Sequence, residues 1–458
     1  MLALSCMVAY AAPASDTFYL LEPNLKAGLQ SIIEIELKVG GDLLVRENTP
    51  LELGADSSVQ KIPAVEKLPM SVVANLRYEE QMLAWSAKDV SRSLRYYETA
   101  QATFKVGEEN LKRTMPDSQR LVLTEIRDSL VTMNGLNTPL TRNQVDLLHV
   151  VGDTLVLDRL LPGQRLAEGE NWNHDAETIG ALLGMDRVAD CEVSSVIAGE
   201  AQGQVRILLA GSVHGSIDGA ATELDLRGEY LFDQAQKRIS RFNLAIKEHR
   251  KTGPVTPGLD IVANLTLKVT PTQTLSHLSN KPIGLTKNLA VPINHELLYY
   301  SPQNGIRFRH DDHWYITAES RKQLALRRLQ GSTLVAHCNI TTLPARSTGR
   351  QTTLEQFERE IRQALGDRLD EVSAAKEWRT TTGHHCLGIF VNGKTKKVPL
   401  QWRFYLIATD DMPRVSLTVT IEQAQLDEFA DADRRLVDSL QLTGKQVTET
   451  ASKAIKRK

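Results

Sequence analysis

Apolar and polar residues alternate one by one along much of the first 270 residues, and this pattern constrains the fold more than any other feature of the sequence. A period of two puts every second side chain on the same side of a strand, so that one side packs and the other faces water. Strands of this kind favour an antiparallel sheet. The clearest apolar row contains Leu259, Ile261, Ala263, Leu265, Leu267 and Val269, and another contains Leu94, Tyr96, Ala100, Ala102, Phe104 and Val106, opposite Arg95, Thr99, Gln101, Thr103 and Lys105.

Turn-forming residues separate these rows, as expected for a meander of strands. The sequence therefore predicts an antiparallel β-rich domain over residues 31–271, all-β or nearly so, closed into a barrel or half-barrel. One helix is expected at Asp175 to Leu183, over the barrel mouth or an open sheet face. The turn signals are Gly40-Gly41, Gly152-Asp153, Gly215 to Gly219, Asp233 and Gly253-Pro254.

Length and charge restrict the classes of protein that remain. A chain of 458 residues suggests two or three domains, and 41% hydrophobic residues is typical of globular proteins. The formal net charge of -2 offers no general attraction to nucleic acid, whose phosphates favour a basic surface. We therefore expect no nucleic-acid partner.

The first 14 residues are apolar and end in small residues, which is typical of a signal peptide. Ala9-Tyr10-Ala11 and Ala12-Pro13-Ala14 both fit a small-x-small cleavage site. We interpret residues 1–14 as the remnant of a signal peptide and predict an extracytoplasmic location, periplasmic or secreted. No other stretch approaches the ~18 to 20 apolar residues that a membrane span needs. Residues 444–458 form a basic tail.

The pattern changes after the first domain. Residues 272–294 are polar and interrupted by prolines, which predicts a linker. Residues 295–443 then alternate between strands and amphipathic helices, which predicts an α+β sandwich. A helix is expected at Leu354 to Leu369, where Thr352 with Glu355 and Thr353 with Gln356 both have capping-box spacing. Other expected features are a turn at Asn392-Gly393 and a last helix that buries Leu426, Phe429, Leu436, Val437 and Leu440.

The segment Ser301-Pro302-Gln303-Asn304-Gly305-Ile306-Arg307-Phe308, with Trp314 after a short turn, resembles the opening of PsbP-like domains, a fold shared with Ran-binding release factors. That family has a Pro-x-x-Trp turn where His310-Asp311-Asp312-His313 stands here. The resemblance covers about residues 296–442. It implies a PsbP-like sandwich that docks to other proteins, and it brings no catalytic residues. Residues 31–271 are weakly similar to β-rich exported domains of bacteria, including half-barrel lipoprotein carriers, and are assigned to no family.

His310, Asp312 and His313 form the candidate metal site, because two imidazoles and a carboxylate within four residues suit a divalent ion. A strand would put neighbouring side chains on opposite faces, so only a turn could bring them together. His384-His385 could complete such a site. The alternative is a solvated turn that leads into a buried Trp314.

Two further constellations have structural explanations. Ser212, His214, Ser216 and Asp218 contain the residue types of a Ser-His-Asp set, but a single glycine-rich hairpin cannot satisfy the distances of a triad. Cys338 and Cys386 lie in predicted strands and could form one disulfide in an oxidising compartment, with Cys191 as a buried thiol. The alternative is three free thiols.

We predict from these patterns an exported, non-catalytic binding or accessory protein that docks to another extracytoplasmic protein. No catalytic residue and no cofactor are expected, and the ligand-binding residues are unknown. One alternative is a carrier of an apolar ligand in a half-barrel groove. Another is a metal-dependent enzyme that uses the cluster from His310 to His313.

Overall fold

The computed structural model describes residues 17–46, 65–278, 295–303, 305–346, 351–396, 398–408 and 413–442. The signal-peptide remnant, residues 279–294 of the predicted linker and the basic tail lie outside these residues. In the described part the chain is rich in strands, all paired in antiparallel fashion, and has few helices. The antiparallel, β-rich character predicted from the alternation is therefore confirmed. We call residues 17–278 the first unit and residues 295–442 the second unit.

The described residues of the first unit form long strands and three short helices. The strands are β1 (Phe18–Leu20), β2 (Gln30–Arg46), β3 (Val65–Ala84), β4 (Ser91–Val106), β5 (Glu109–Thr114), β6 (Leu121–Arg127), β7 (Leu130–Gly135), β8 (Arg165–Ala167), β9 (Asn171–Asn173), β10 (Arg187–Ala201), β11 (Gln204–Ile217), β12 (Ala220–Asp233), β13 (Arg238–Arg250) and β14 (Gly258–Thr272). The helices are α1 (Arg142–Leu148), α2 (Thr154–Leu157) and α3 (Ala176–Leu183).

One large sheet dominates the first unit. Its strand order is β7-β6-β4-β3-β2-β14-β13-β12-β11-β10-β9, with β5 paired to β4, while β1 pairs with β8. Most neighbours are consecutive in sequence, as a meander requires. One hydrophobic core contains both Val122 of β6 and Val193 of β10, which lie near opposite ends of the sheet, so the sheet curves around that core.

The helices of the first unit fill the space that the sheet surrounds. Leu148 of α1, Leu155 of α2 and Ile179 of α3 all belong to the same core as the inward side chains of the strands. The helix predicted at Asp175 to Leu183 is confirmed, because Asp175 caps α3 by accepting a hydrogen bond from the Thr178 N–H. The inner face of the sheet is therefore packed against the chain's own helices.

The apolar row predicted for β4 is wrong in the N-terminal half of the strand, before Glu98. The register of β4 against β3 shifts between Tyr97 and Thr99, which leaves Glu98 as an extra residue. A bulge of this kind reverses which side chains face the core. Tyr97 and Ala100 thus face the main core, while Leu94 belongs to a separate outer cluster with Leu121, Leu123, Leu275 and Leu278.

Arg95, expected on the wet side of that row, is instead buried with 1% of its surface exposed. Its Nη1 and Nη2 donate to Oδ2 and Oδ1 of Asp153, both at 2.7 Å, and its Nε donates to Oε1 of Glu80 at 2.9 Å. Thr154 donates its hydroxyl to the same Glu80 oxygen at 2.7 Å. This network connects β3 and β4 to the start of α2.

The start of the predicted linker is packed rather than free. Leu275 and Leu278 cover the outer cluster, and the buried carboxylate of Glu79 accepts hydrogen bonds from the N–H groups of Ser276, His277 and Leu278 at 2.7 to 3.1 Å. A carboxylate that accepts several backbone N–H bonds fixes the segment that supplies them. The chain is thus held against the sheet through Leu278.

The glycine-rich segment from Gly211 to Gly219 is mostly strand, so the prediction of one long turn there is wrong. A Cβ on Gly211 would lie 1.9 Å from the Glu192 carbonyl oxygen, and one on Gly215 would lie 2.0 Å from that of Arg187. These glycines therefore allow β10 and β11 to approach closely. Only Asp218 and Gly219, with φ of 49° and 71°, form the turn to β12.

In the second unit, the part of the chain that the structure describes forms shorter strands and three more helices. The strands are β15 (Leu297–Ser301), β16 (Ile306–His310), β17 (Trp314–Glu319), β18 (Gln323–Gln330), β19 (Thr333–Leu343), β20 (Leu369–Arg379), β21 (His385–Thr395), β22 (Val398–Ala408), β23 (Arg414–Glu422) and β24 (Gln441–Leu442). The helices are α4 (Leu354–Leu365), α5 (Leu426–Phe429) and α6 (Arg434–Ser439).

A seven-stranded sheet forms the middle layer of the second unit, in the order β17-β18-β19-β23-β22-β21-β20. One face packs against α4 through Phe357 and Ile361. The other packs against α5, α6 and the small sheet β15-β16-β24. Trp314 is fully buried in the second of these cores, so its predicted burial is confirmed.

Several local predictions for the second unit need correction. Asn392 and Gly393 lie inside β21, not in a turn. The glycine is needed there because a Cβ on Gly393 would lie only 2.1 Å from the Arg368 carbonyl oxygen. The last helix is divided into α5 and α6 by Ala430, whose φ is 48°. Of the two capping boxes, Thr353 with Gln356 is formed.

The structure does not pair Cys338 with Cys386; both are free and buried, and Cys191 is also free. Cys338 lies in β19 and Cys386 in β21, and β23 and β22 run between them. Three inter-strand steps amount to roughly 14 Å, whereas a disulfide needs Cα atoms about 4.4 to 6.8 Å apart. The sheet itself therefore keeps these two thiols apart.

Candidate functional site

A cavity of about 990 Å³ lies between the first and second units, and we call it the interdomain cavity. Its wall includes α1, the turn after α3, the tip of the β11–β12 hairpin and the segment from His310 to Glu319. The charged side chains among its described lining residues are Asp128, Asp146, Asp186, Asp218, Asp312, Glu319 and Arg142. Acidic groups thus outnumber basic ones in this wall.

The two units meet directly at one side of the cavity. The Leu298 N–H of β15 donates a 2.8 Å hydrogen bond to the carbonyl oxygen of Leu140, just before α1. Arg142, at the start of α1, donates a hydrogen bond to the carbonyl oxygen of Asp312. The same guanidinium lies 4.4 Å from the centre of the Tyr315 ring, a favourable cation–π distance.

The tip of the β11–β12 hairpin contacts Tyr315 as well. The Tyr315 hydroxyl donates a 2.9 Å hydrogen bond to Oδ1 of Asp218, and the Gly219 N–H donates one of 2.9 Å to Oδ2 of Asp186. The two-residue turn thus places Asp218 and Asp186 side by side. Burial, together with the nearby negative charge of Asp218, raises the pKa of Asp186 to about 6, against the opposing effect of the Gly219 hydrogen bond.

Asp146 of α1 faces the cavity from another direction. It retains accessible surface, but protein surrounds it, so that this surface opens into the cavity. Burial raises the pKa of Asp146 to about 6, against the opposing effect of Arg142 and Arg113. The structure gives Asp146 no hydrogen bond to any described residue. Asp146 therefore presents a carboxylate at the cavity wall that no described residue hydrogen-bonds.

The predicted metal residues are brought near one another by a turn, but not as a set of three. Asp311, Asp312 and His313 have ligand atoms within 4.8 Å of one another, and His310 is not in this group. Arg328 donates to both oxygens of Asp311, at 2.6 and 2.8 Å. His313 Nδ1 lies 2.9 Å from Oδ1 of Asp312, and this contact raises the pKa of His313. Arg328 and His313 thus already engage these carboxylates.

His310 points elsewhere. It is 1% exposed, and its Nδ1 lies 2.6 Å from the carbonyl oxygen of Asp311, to which an Nδ1–H donates. Burial lowers the pKa of His310 to about 4, so the ring is neutral at pH 7. Its Nε2 is then a bare acceptor, and this buried atom has no hydrogen-bond partner among the described residues. His310 also lines the interdomain cavity.

The other candidates from the sequence are not brought together. Ser212, His214 and Ser216 are spaced by two along β11, so they lie in a row on one side of the strand, with successive Cα atoms roughly 7 Å apart, and do not converge on a point. Of the four, Asp218 alone lines the cavity. His385 Nε2 lies 2.8 Å from Oε1 of Glu377 on the neighbouring strand β20, away from the turn at His313.

A serine–histidine contact that the sequence did not suggest is present inside the first unit. His174 Nε2 lies 2.7 Å from Ser195 Oγ, which also accepts a 3.0 Å hydrogen bond from the Tyr230 hydroxyl. All three residues are buried, and none of them lines the interdomain cavity. The contact satisfies polar groups within the core and offers no access to a substrate.

Asp146, Asp186 and Tyr315 were not singled out from the sequence. The Asp-Gly pair at 218–219 is a recognisable two-residue turn and could have marked Asp218 as a hairpin tip. Nothing local indicates that α1 and β17 meet that tip, because residues about 70 to 100 positions apart form the contact.

Comparisons with known proteins assign no family. No family model matches the chain, and no curated protein matches it. PA94, a protein of unknown function from Pseudomonas aeruginosa, aligns with 30% of this chain and 89% of its own, at 13% identity and a TM-score of 0.20. The PsbP protein CyanoP from Synechocystis sp. PCC 6803 aligns with 33% of this chain and 95% of its own, at 16% identity and a TM-score of 0.24. Similarities this weak carry no argument about fold or function.

None of the helices in the described residues is long and apolar enough to cross a membrane.

Proposed function

We propose that the protein is an exported, non-catalytic binding protein that holds a small polar ligand in the interdomain cavity. The observation that carries the proposal is the cavity itself. Its volume of about 990 Å³ is at the upper end of the usual range for small-molecule sites. Side chains from both units form its wall, and one of them, Asp146, has no hydrogen bond to a described residue.

The two alternatives have less support. A carrier of an apolar ligand would need an open apolar groove, but α1, α2 and α3 pack against the inner face of the large sheet. A metal-dependent enzyme would need free ligand atoms, but Arg328 and His313 occupy the carboxylates of Asp311 and Asp312. Docking to another extracytoplasmic protein stays a prediction that rests on the PsbP-like resemblance.

A second part of the proposal concerns the fold of the second unit. We propose that residues 295–442 form a PsbP-like sandwich. In its favour, an antiparallel sheet lies between α4 on one side and α5, α6 and a small sheet on the other. The extracytoplasmic location rests on residues 1–14 and is tested by fractionation of cells that express the full chain.

The binding function is tested by thermal shift against a panel of small anionic, cationic and neutral polar compounds. A cavity-filling variant, Leu298→Trp, is the control, because Leu298 lines the cavity and is only partly buried. We expect at least one compound to raise the melting temperature of the wild type but not of the variant, by preferential binding to the folded state. The proposal fails if no compound stabilises the wild type, or if all stabilise both proteins equally.

A further inference from the structure

The first strand of the second unit contributes to the hydrophobic cores of both units. Leu297 of β15 is 3% exposed and belongs to the same core as Leu140 and Leu148 of the first unit. Tyr299, two residues later on the same strand, belongs instead to a core of the second unit. Leu297 is therefore an apolar side chain of the second unit that is buried in the first.

The backbone beside this leucine is attached to the first unit as well. The Leu298 N–H donates its hydrogen bond to the carbonyl oxygen of Leu140, so that side chain and main chain of β15 both contact the segment before α1. Arg142, in the first turn of α1, adds a hydrogen bond to the carbonyl oxygen of Asp312. Polar contacts thus surround a buried apolar side chain, as in the interfaces of stable protein complexes.

A second group of contacts joins other elements of the two units. Arg327 of β18 donates a hydrogen bond to the carbonyl oxygen of Pro254. Gly219, at the tip of the β11–β12 hairpin, lies against the turn between β18 and β19. A Cβ on this glycine would lie 3.2 Å from Cδ1 of Leu329 and 3.3 Å from the carbonyl oxygen of Ser332. The hairpin tip and the turn are therefore closely packed.

The first unit also holds the chain on both sides of residues 279–294. Before this segment, the Leu278 N–H donates a 3.0 Å hydrogen bond to the buried carboxylate of Glu79. After it, Leu297 is buried in the core of the first unit. Any movement of the second unit away from the first would have to withdraw this leucine from the core and expose it to water, which is unfavourable.

We infer that the first unit carries a permanent binding surface for the second unit, centred on the site that buries Leu297, and that their association does not need the covalent connection. Domains joined by a linker move relative to each other unless a hydrophobic interface holds them together. The interdomain cavity is then a fixed space, and it does not open by separation of the two units. The inference goes beyond the proposed binding function and does not depend on the ligand.

The test is to cut the full chain between the units and to measure whether they separate. A recognition sequence for a site-specific protease is inserted between residues 278 and 295, and the folded protein is cleaved. A flexible linker supplies an effective concentration in the millimolar range, so a weak interface loses its partner once the linker is cut. In gel filtration at about 1 μM we expect one peak at the elution position of the uncut protein, which requires a Kd below about 1 μM.

Three variants test which contacts hold the cut halves together, with the Kd measured by dilution. Leu297→Ala should weaken association at least about tenfold, because it removes buried apolar contacts from the interface. Leu417→Ala removes the same atoms from a core of the second unit and should leave association unchanged. Arg327→Met loses the hydrogen bond to Pro254 but leaves both cores intact, and it should weaken association about tenfold. Arg327→Met replaces Leu297→Ala if circular dichroism shows that Leu297→Ala does not fold.

The outcomes are distinct from those of the ligand panel. Two separate peaks from the cut wild type overturn the inference. Equal affinity of the halves in wild type and Leu297→Ala also overturns it, as does an equal loss in Leu297→Ala and Leu417→Ala, because an equal loss would reflect destabilisation of the second unit alone. The binding function is decided separately, by thermal shift of the uncut chain.

Discussion

The hydroxyl of Tyr315 donates a 2.9 Å hydrogen bond to Oδ1 of Asp218 and so joins the first strand of the seven-stranded sheet to a hairpin tip in the first unit. Burial raises the pKa of Tyr315, which keeps the hydroxyl protonated as the donor. Arg142 lies against the other side of the same ring. Both units thus contribute to one wall of the interdomain cavity.

This hydrogen bond should be measurable as an energetic coupling between the units. In a double-mutant cycle of Tyr315→Phe and Asp218→Asn, we expect a coupling energy of about 0.5–1.5 kcal/mol in the free energy of unfolding by urea. Tyr315→Phe combined with Asp225→Asn should be additive, since the structure shows no contact between those two side chains. A coupling energy of zero for the first pair would contradict the contact.

Removal of the Arg95 side chain should destabilise the protein strongly. Arg95→Met leaves the buried carboxylates of Glu80 and Asp153 without their cation, a change that typically costs about 3–5 kcal/mol. Arg77→Met is the matched control, because the pairs of Arg77 with Glu34 and Glu98 are partly exposed and such pairs contribute only about 0–1 kcal/mol. Urea unfolding of the two variants should differ clearly; equal losses would be evidence against the buried network.

Asp158 should make stability fall as pH rises from about 4 to about 6. Burial and the nearby charge of Glu80 raise its pKa from 3.8 to about 6, against the opposing effects of Arg238 and the Ile239 N–H. Between these pH values the folded chain holds the proton and the unfolded chain has lost it, so deprotonation favours unfolding.

The variant Asp158→Asn should therefore show a flatter decline in the free energy of unfolding between pH 4 and pH 6 than the wild type. Asp225→Asn serves as the control with the same chemical change at an exposed position. Identical slopes for wild type and Asp158→Asn would refute a raised pKa at this site.

Gly211 should tolerate no side chain, whereas Gly40 should tolerate alanine. A Cβ at Gly211 would overlap the Glu192 carbonyl oxygen at 1.9 Å, while nothing lies within 4 Å of a Cβ at Gly40. We expect Gly211→Ala to cost about 1–3 kcal/mol or more through displacement of β10, and Gly40→Ala to change stability by less than about 1 kcal/mol. Melting temperatures of the two variants check this; equal values would argue against the close approach of the strands.

The two thiols of the second unit should react only after unfolding. Burial raises the pKa of both Cys338 and Cys386, so each thiol is protonated as well as inaccessible. In a Cys6→Ala background we expect a thiol reagent to label at most Cys191 in the folded protein and all three cysteines in denaturant. A disulfide would instead leave two cysteines unlabelled in denaturant until a reductant is added.

The sequence predicted the parts of this fold that depend on local pattern. Strict alternation identified β14, a helix was expected where α3 lies, and Trp314 was expected to be buried after a turn. Each of these depends on the residue itself and its near neighbours, so one sequence is enough.

Features that depend on a neighbouring strand were missed. The bulge at Glu98 reverses the faces of β4 because β3 sets the register. Gly211 and Gly393 look like turn residues, but each lies in a strand that another backbone approaches closely. The exposed strand β20 has little apolar alternation to reveal it. The interdomain cavity could not be predicted for the same reason, since the residues that line it extend along the chain from Asp128 to Gly331.

The clamp that Glu79 exerts on Ser276, His277 and Leu278 decides where the protein can be cut for separate study. A fragment that stops at Thr272, where the polar stretch begins, would expose the apolar side chains of Leu94, Leu121 and Leu123 to water. Such an exposed apolar patch favours aggregation. A fragment that runs through Leu278 keeps its own cover. The first unit therefore ends at Leu278, seven residues after the boundary at residue 271 that the alternation predicted.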